Sequence, residues 1–215
     1  MNGGLLLQYI FSGITVGSIY AVVAIGFNII YNATGIINFA QGEFVMLGGM
    51  IAYSFSQIMP LAPAVLLAVV ITAAAGSLIE IVFIRSLRSP SVLRMIIVTV
   101  GLSILIREAA LHIWNEKVRA LPFFTGSEVS SFSLFGAHFS PQVLWVLGAT
   151  LLIVGGLHLF FTFTLTGQAM RACSNNRRAA SLCGINTRSM VNLAFILSAA
   201  TGALAGCVTS PLTQT

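Results

Sequence analysis

The sequence predicts an all-α fold, a polytopic bundle of membrane-spanning helices, on three observations. Apolar residues make up 57% of the 215 residues and charged residues 7%, against roughly 25% charged in a soluble domain. Fifteen charges, ten basic and five acidic, cannot cover the surface of a soluble fold this size. The apolar residues also fall in runs too long for core strands. At roughly 20 residues per crossing of ~30 Å of hydrocarbon, the chain has length for about six spans plus loops.

The first span covers residues 5–31. Residues 1–12 carry no Lys or Arg, so they lack the positive region of a cleavable signal, and the run reads as an uncleaved span. The second span, residues 36–58, holds the most unusual polar string of the protein, Asn38-Phe39-Ala40-Gln41-Gly42-Glu43, and has the composition of a broken helix. Pro60 and Pro63, poorly suited to a helix interior, bracket the turn into the third span, residues 64–84. Arg85, Arg88 and Arg94 follow, with Ser89-Pro90-Ser91 as turn and helix start. The fourth span covers residues 92–114. The polar segment from Asn115 to Ser140 holds Glu116, Lys117, Arg119, Pro122, Gly126 and Glu128. Its Phe123, Phe124, Phe132 and Phe139 place part of it on the membrane surface. Ser140-Pro141 is a cap and first-turn pair opening the fifth span, residues 141–163. A second basic segment, residues 166–188, precedes the sixth span, residues 190–210. The chain reads as one transmembrane domain, residues 1–215.

Lys and Arg set the orientation. Arg85, Arg88 and Arg94 lie between spans three and four, and Arg171, Arg177, Arg178 and Arg188 between spans five and six. These loops have the same parity and are expected on the cytoplasmic side. The N-terminus is then extracytoplasmic, provided residues 36–58 cross completely; a re-entrant segment there would change its side.

Enzyme motifs are absent: the sequence has no GxSxG, HExxH or P-loop pattern. ATP-driven work would therefore need an ATPase on another chain. Cys173, Cys183 and Cys207 have no metal-ligand or CxxC spacing and read as reduced, small packing residues. His158 has no Cys, Asp or Glu at ligand spacing, so neither a metal nor a cofactor is expected. The net charge of +5 lies in short loops and does not suggest nucleic acid. Gly13 and Gly17, and Gly202 and Gly206, have the small-xxx-small spacing of close helix contacts in lipid.

Glu43 is the sharpest single residue. A carboxylate within an apolar span costs about 2.5–3.5 kcal/mol on insertion scales, so it needs a partner, a proton or a water-filled cavity. With Asn38 and Gln41 it forms either the polar lining of a substrate path at a broken helix or a buried polar knot that locks helix packing. Both readings stay open here. Glu80, one turn before Arg85, reads as half of a boundary ion pair. Arg107 and Glu108 are expected to mark where the fourth span leaves the hydrocarbon.

Residues 168–183 look helical. Ala169, Ala172, Asn176, Ala179, Ala180 and Cys183 form a face of small residues. Gly184 is a natural residue just past the helix end, with Ile185 packing back. Such a helix flanked by arginines suits docking on a soluble partner, although topological anchoring alone also explains the arginines.

Three stretches resemble the permease subunits of branched-chain amino acid ABC transporters. They are Gly13-Ile14-Thr15-Val16-Gly17-Ser18-Ile19-Tyr20-Ala21 through Gly26, Gly35-Ile36-Ile37-Asn38-Phe39-Ala40-Gln41-Gly42-Glu43, and Arg171-Ala172 through Ala180-Ser181-Leu182-Cys183-Gly184-Ile185-Asn186. The resemblance runs the length of the chain in order. It implies a multi-pass importer subunit of the bacterial inner membrane that pairs with a second permease subunit, homologous or identical. It also implies a periplasmic binding protein that delivers substrate, and cytoplasmic ATPase subunits that dock on Gln168 to Gly184. The docking residues would be Arg171, Ala172, Arg177, Arg178, Ala180 and Gly184, and the path residues Asn38, Gln41 and Glu43. The family often has His where this chain has Gln41, and permeases for urea and short amides share the surrounding pattern. Family members continue past Thr215, so the chain resembles the first two-thirds or three-quarters of a permease. The rival from the residues alone is an ATP-independent secondary transporter or channel with Glu43 as a proton or ion site.

Overall fold

A computed structural model describes residues 3–87, 91–115, 119–125, 132–134 and 137–213. Arg88, Ser89 and Pro90 of the expected turn, and Glu116, Lys117, Gly126 and Glu128 of the expected polar segment, lie outside the described residues. The helices are α1 (Gly3–Thr34), α2 (Gln41–Ser56), α3 (Leu61–Ile79, continued by a π turn over Glu80–Ile84), α4 (Val92–Trp114), α5 (Gln142–Phe163), α6 (Leu165–Asn175), α7 (Arg177–Leu182) and α8 (Thr187–Thr213). Two three-residue strands, β1 (Phe132–Leu134) and β2 (Ala137–Phe139), pair antiparallel with Ser133 opposite His138. This hairpin is a small addition to the all-α expectation.

Among the described residues, α1, α3 with its π turn, α4, α5 and α8 are long and apolar enough to cross a membrane. The protein is a multi-pass membrane protein. Several of their hydroxyls are satisfied within the helix, as lipid favours. Thr15 donates to the Phe11 carbonyl at 2.8 Å and Thr150 to that of Val146 at 2.8 Å. α2 has 16 residues, about 24 Å of helix, and does not cross ~30 Å of hydrocarbon alone. The second span is therefore helical only from Gln41 onward, with residues 35–40 supplying the rest of the crossing as non-helical chain.

α8 is the central post. It packs against α1, α2, α3 and α5, and Ala194, Ala199, Ala203 and Cys207 are fully buried. Its close neighbour is α2, which runs parallel to it. Phe44 lies against Gly202, Val45 against Gly206, and Gly48 against Ala203. A Cβ on Gly206 would overlap the Val45 carbonyl, so the helix approach requires glycine there. Gly13 and Gly17, the other predicted small-residue pair, have open space beside them. α4 stands at the edge, against α2 and the π turn.

The ends of the bundle sort by charge. The Asn192 amide near the start of α8 donates to Glu80 Oε2 at 3.0 Å and to Ser77 Oγ at 3.0 Å. Met170 of α6 clusters with Ile29, Ala33 and Ala194, and Met95 of α4 with Ile30, Ile84 and Val191. These contacts bring the C-termini of α1 and α3, the N-termini of α4 and α8, and α6–α7 to one end. The described arginines of both basic segments lie there, as their shared parity predicts. At the opposite end the Trp114 indole donates to Ser54 Oγ at 2.6 Å, the Leu121 amide to Ser210 Oγ at 3.2 Å, and the Gln142 side chain to the Val208 carbonyl at 2.9 Å. Leu121 is buried among Ala52, Ala68 and Cys207, so this part of the polar segment folds onto the bundle.

Candidate functional site

The break before α2 follows from local chemistry. Gly35 sits at φ +74°, a conformation that glycine adopts without steric cost, and α1 stops there. The Asn38 side-chain oxygen accepts the Ala40 N–H at 3.1 Å, and the Asn38 carbonyl accepts the Gln41 N–H at 3.2 Å. This side-chain turn competes with helix geometry and delays the start of α2 to Gln41. The start lies deep in the bundle. Gln41 meets Ser198, close to the middle of α8, and Glu43 meets Ser103, the central residue of α4. A half-helix that begins at mid-depth, with irregular chain only where protein surrounds it, is a common architecture of transporter sites.

The three residues singled out there have different surroundings. Gln41 is fully buried. Its side-chain oxygen accepts the Ser198 hydroxyl at 2.5 Å, and its Nε2 donates to the Ser198 carbonyl at 3.2 Å. The same hydroxyl lies 2.8 Å from the Gly26 carbonyl, so Gln41 ties α1, α2 and α8 together. It has the geometry of the packing knot that was one of the two open readings. Asn38 is buried as well, and its Nδ2 has no hydrogen-bond partner among the described residues. Glu43 Oε1 accepts from the Ser103 hydroxyl at 2.9 Å and from Arg107 Nη2 at 2.9 Å.

Arg107 departs from its sequence reading. It does not mark the end of the fourth span. It stands one turn past the centre of α4 and pairs with the carboxylate of Glu43. The sequence held one signal for this. Ser103 and Arg107 are four apart, hence on one helix face, and an intramembrane cation calls for an anion. The side chain of Glu43 is 7% exposed and that of Arg107 63%. Ser103 and Ser198 were not anticipated, because serine in a membrane helix carries no pattern that separates a partner from a packing residue.

Glu80 pairs with Arg85, Nη2 to Oε2 at 2.8 Å, as expected at that boundary. The π turn accompanies the pair: the Arg85 N–H reaches back to the Glu80 carbonyl at 2.8 Å. Asn192 completes the shell of this buried carboxylate.

The second basic segment is helical but is not one helix. Asn176 leaves the helical region at φ −152°, ψ 100°, and its side chain accepts the Ala179 N–H at 3.0 Å. It ends α6 and caps α7, as asparagine does. Gly184 takes φ +82°, its N–H reaches the Ser181 carbonyl, and the Ile185 N–H reaches that of Ala180. This is the Schellman pattern, with Gly184 just past the helix end as the sequence suggested. The small-residue face is split. Ala180 and Cys173 are buried against the bundle and Ala172 is half-buried, while Arg171, Arg177, Arg178, Ala179 and Gly184 are exposed. Leu182, 88% exposed, stands among the arginines. Ala180 thus supports the segment from below and does not offer a surface.

A cleft of about 600 Å³ opens elsewhere, between α1, α5 and α6, lined by Asn28, Asn32, His158, Arg171 and apolar neighbours. It lies toward the basic end, away from Glu43. Among the described residues no cluster of His, Cys, Asp or Glu has the makings of a metal site.

Residues 9–215 match a family described as "Branched-chain amino acid transport system / permease component". The chain is 34% identical over 211 residues to the high-affinity branched-chain amino acid transport system permease protein BraD of Pseudomonas aeruginosa, covering 93% of this chain and 69% of that one. It is 34% identical over 214 residues to LivH of Escherichia coli, a protein of the same description, with the same coverage of both chains. A probable branched-chain amino acid transport permease protein LivH of Methanocaldococcus jannaschii is 26% identical over 197 residues, covering 88% of this chain and 61% of that one. No solved structure matches the chain.

Proposed function

This chain belongs to the branched-chain amino acid transport permease family, and from that membership we propose that it is the membrane-spanning subunit of an ABC importer for branched-chain or related amino acids. It works in the bacterial inner membrane with its basic end in the cytoplasm. It pairs with a second permease subunit, receives substrate from a periplasmic binding protein and is driven by cytoplasmic ATPase subunits. ATP hydrolysis belongs to those subunits.

The observation that carries this reading is the mid-depth break that ends at Gln41. It puts a buried Asn38 amide and the Glu43–Arg107 pair half-way across the bundle, at the depth where alternating-access proteins hold substrate. In this reading Asn38 and Glu43 line the path, and Gln41 fixes the helix that carries them. Arg171, Arg177, Arg178 and Gly184 form the docking segment, with Ala172 and Ala180 beneath it. ATP-dependent motion of α6–α7 would be passed to α8 directly and to α1 through the Met170 cluster. Rigid-body rocking of the helices would then open the path to each side in turn.

The test is uptake of radiolabelled leucine into proteoliposomes containing the full transporter. Uptake should require internal ATP and external binding protein. Uptake driven by a pH gradient without ATP would instead favour a secondary transporter with Glu43 as its proton site. Uptake of urea or short amides in place of leucine would move the substrate class.

A further inference from the structure

We propose that Glu43 and Arg107 together read the zwitterionic head group of an α-amino acid, Arg107 taking the carboxylate and the open oxygen of Glu43 the ammonium. This rests on the transport reading above and adds to it a residue, Arg107, and a recognition chemistry.

Arg107 lies one turn from the centre of α4, yet 63% of its side chain is exposed. A guanidinium turned to lipid at that level is costly even on insertion scales. The α4 face that carries it must therefore look onto a water-filled path or polar protein. Among the described residues, one of the five guanidinium N–H groups is engaged, by Glu43 Oε1. That oxygen takes both the Ser103 and the Arg107 bonds, and among the described residues Glu43 Oε2 takes none. The pair thus presents a planar donor fork beside an open carboxylate oxygen. A fork of this kind matches a carboxylate in bidentate fashion, and the open oxygen matches an ammonium.

The pair is neutral, and so is the zwitterion. Docking the one on the other displaces water at mid-depth without leaving a net charge there, where an unpaired ion is costly. A ligand lacking its carboxylate or its ammonium would leave one member of the pair uncompensated. Ile104 and Val100 share the helix stripe of Arg107 and are 58% and 40% exposed. They offer an apolar, branched surface directly beside the charged pair, where the side chain of a branched amino acid would lie.

The test is binding of tritiated leucine to the purified transporter complex in nanodiscs, without binding protein. Competitors are leucine, leucinamide (no carboxylate) and 4-methylvalerate (no ammonium). Wild type should prefer leucine to either analogue by about 10-fold or more, because a site built for a polar group rejects the analogue lacking it. Arg107→Gln should lose its discrimination against leucinamide and keep that against 4-methylvalerate. Glu43→Gln should show the converse. Arg107→Lys keeps the charge without the fork and should bind leucine more weakly in the same order of preference, which holds the test open if a neutral variant fails to assemble. A merely structural pair would not separate the two analogues. ATP-driven leucine uptake by the same wild-type preparation reports on the transport reading separately. Uptake without head-group discrimination, or with Arg107→Gln preferring leucine as wild type does, overturns the zwitterion assignment alone. Absence of uptake overturns both.

Discussion

Gln41 and Ser198 hold each other at mid-depth through two hydrogen bonds, hydroxyl to side-chain oxygen and side-chain nitrogen to main-chain carbonyl. The contact joins the first turn of α2 to the middle of α8, over Gly26 of α1. Gln41→Leu keeps similar bulk but removes both hydrogen bonds to Ser198, whose carbonyl keeps the Thr201 hydroxyl and whose own hydroxyl keeps the Gly26 carbonyl. Each net hydrogen bond lost costs about 0.5–1.5 kcal/mol. The thermal midpoint in detergent should fall measurably, and the losses from Gln41→Leu and Ser198→Ala should be less than additive in the double variant.

Gly206→Ala adds one methyl where the Val45 carbonyl already stands. Overpacking costs typically about 1–3 kcal/mol, and a backbone neighbour cannot rotate away. Folded yield and thermal midpoint should drop more for Gly206→Ala than for Gly13→Ala, which faces open space.

Arg177→Glu/Arg178→Glu reverses charge on the exposed face of α7 without touching the buried side of the segment. ATPase subunits should no longer copurify, while the permease remains folded. Gly184→Ala forces a Cβ into the left-handed region at φ +82°, at about 1–2 kcal/mol. It should weaken copurification without abolishing it.

Cys183 is exposed and Cys173 is buried, both on the basic end. Burial pushes the Cys173 thiol above its ordinary value, with the Arg177 charge acting the other way. Since the thiolate is the reacting form, a raised pKa means less of it at neutral pH. An impermeant maleimide applied from the cytoplasmic side should label Cys183 quickly and Cys173 slowly. The Cys173 rate should go on rising with pH above the ordinary thiol range. Labelling of Cys183 from the periplasmic side would invert the orientation.

The helices and their common orientation were legible in the sequence because lipid imposes one rule, twenty apolar residues per crossing with arginines at one face. The π turn at Glu80 was not, since no residue pattern there announces it, and Asn192, which donates to the Glu80 carboxylate, lies far along the chain. The break was signalled by Gly35, Asn38 and Glu43, but its end at Gln41 depends on the Asn38 turn and the Ser198 contact together. Arg107 was misread because adjacent charges suggest a helix end, whereas its carboxylate partner lies 64 residues away. The fold of residues 168–183 was half legible. Gly184 is punctuation that the sequence displays, while Asn176 breaks the helix by a capping bond that the surrounding helical pattern conceals.

In the proposed transport cycle the chain around Glu43 lines a path that opens to each side in turn. Ser103, partly exposed and bonded to Glu43, is the place to ask. A Ser103→Cys variant, in a transporter otherwise free of cysteine, is exposed to an impermeant thiosulfonate from each side, with and without ATP. Labelling should change sides with nucleotide state and slow when leucine is present. Labelling from neither side in any state would contradict such a path.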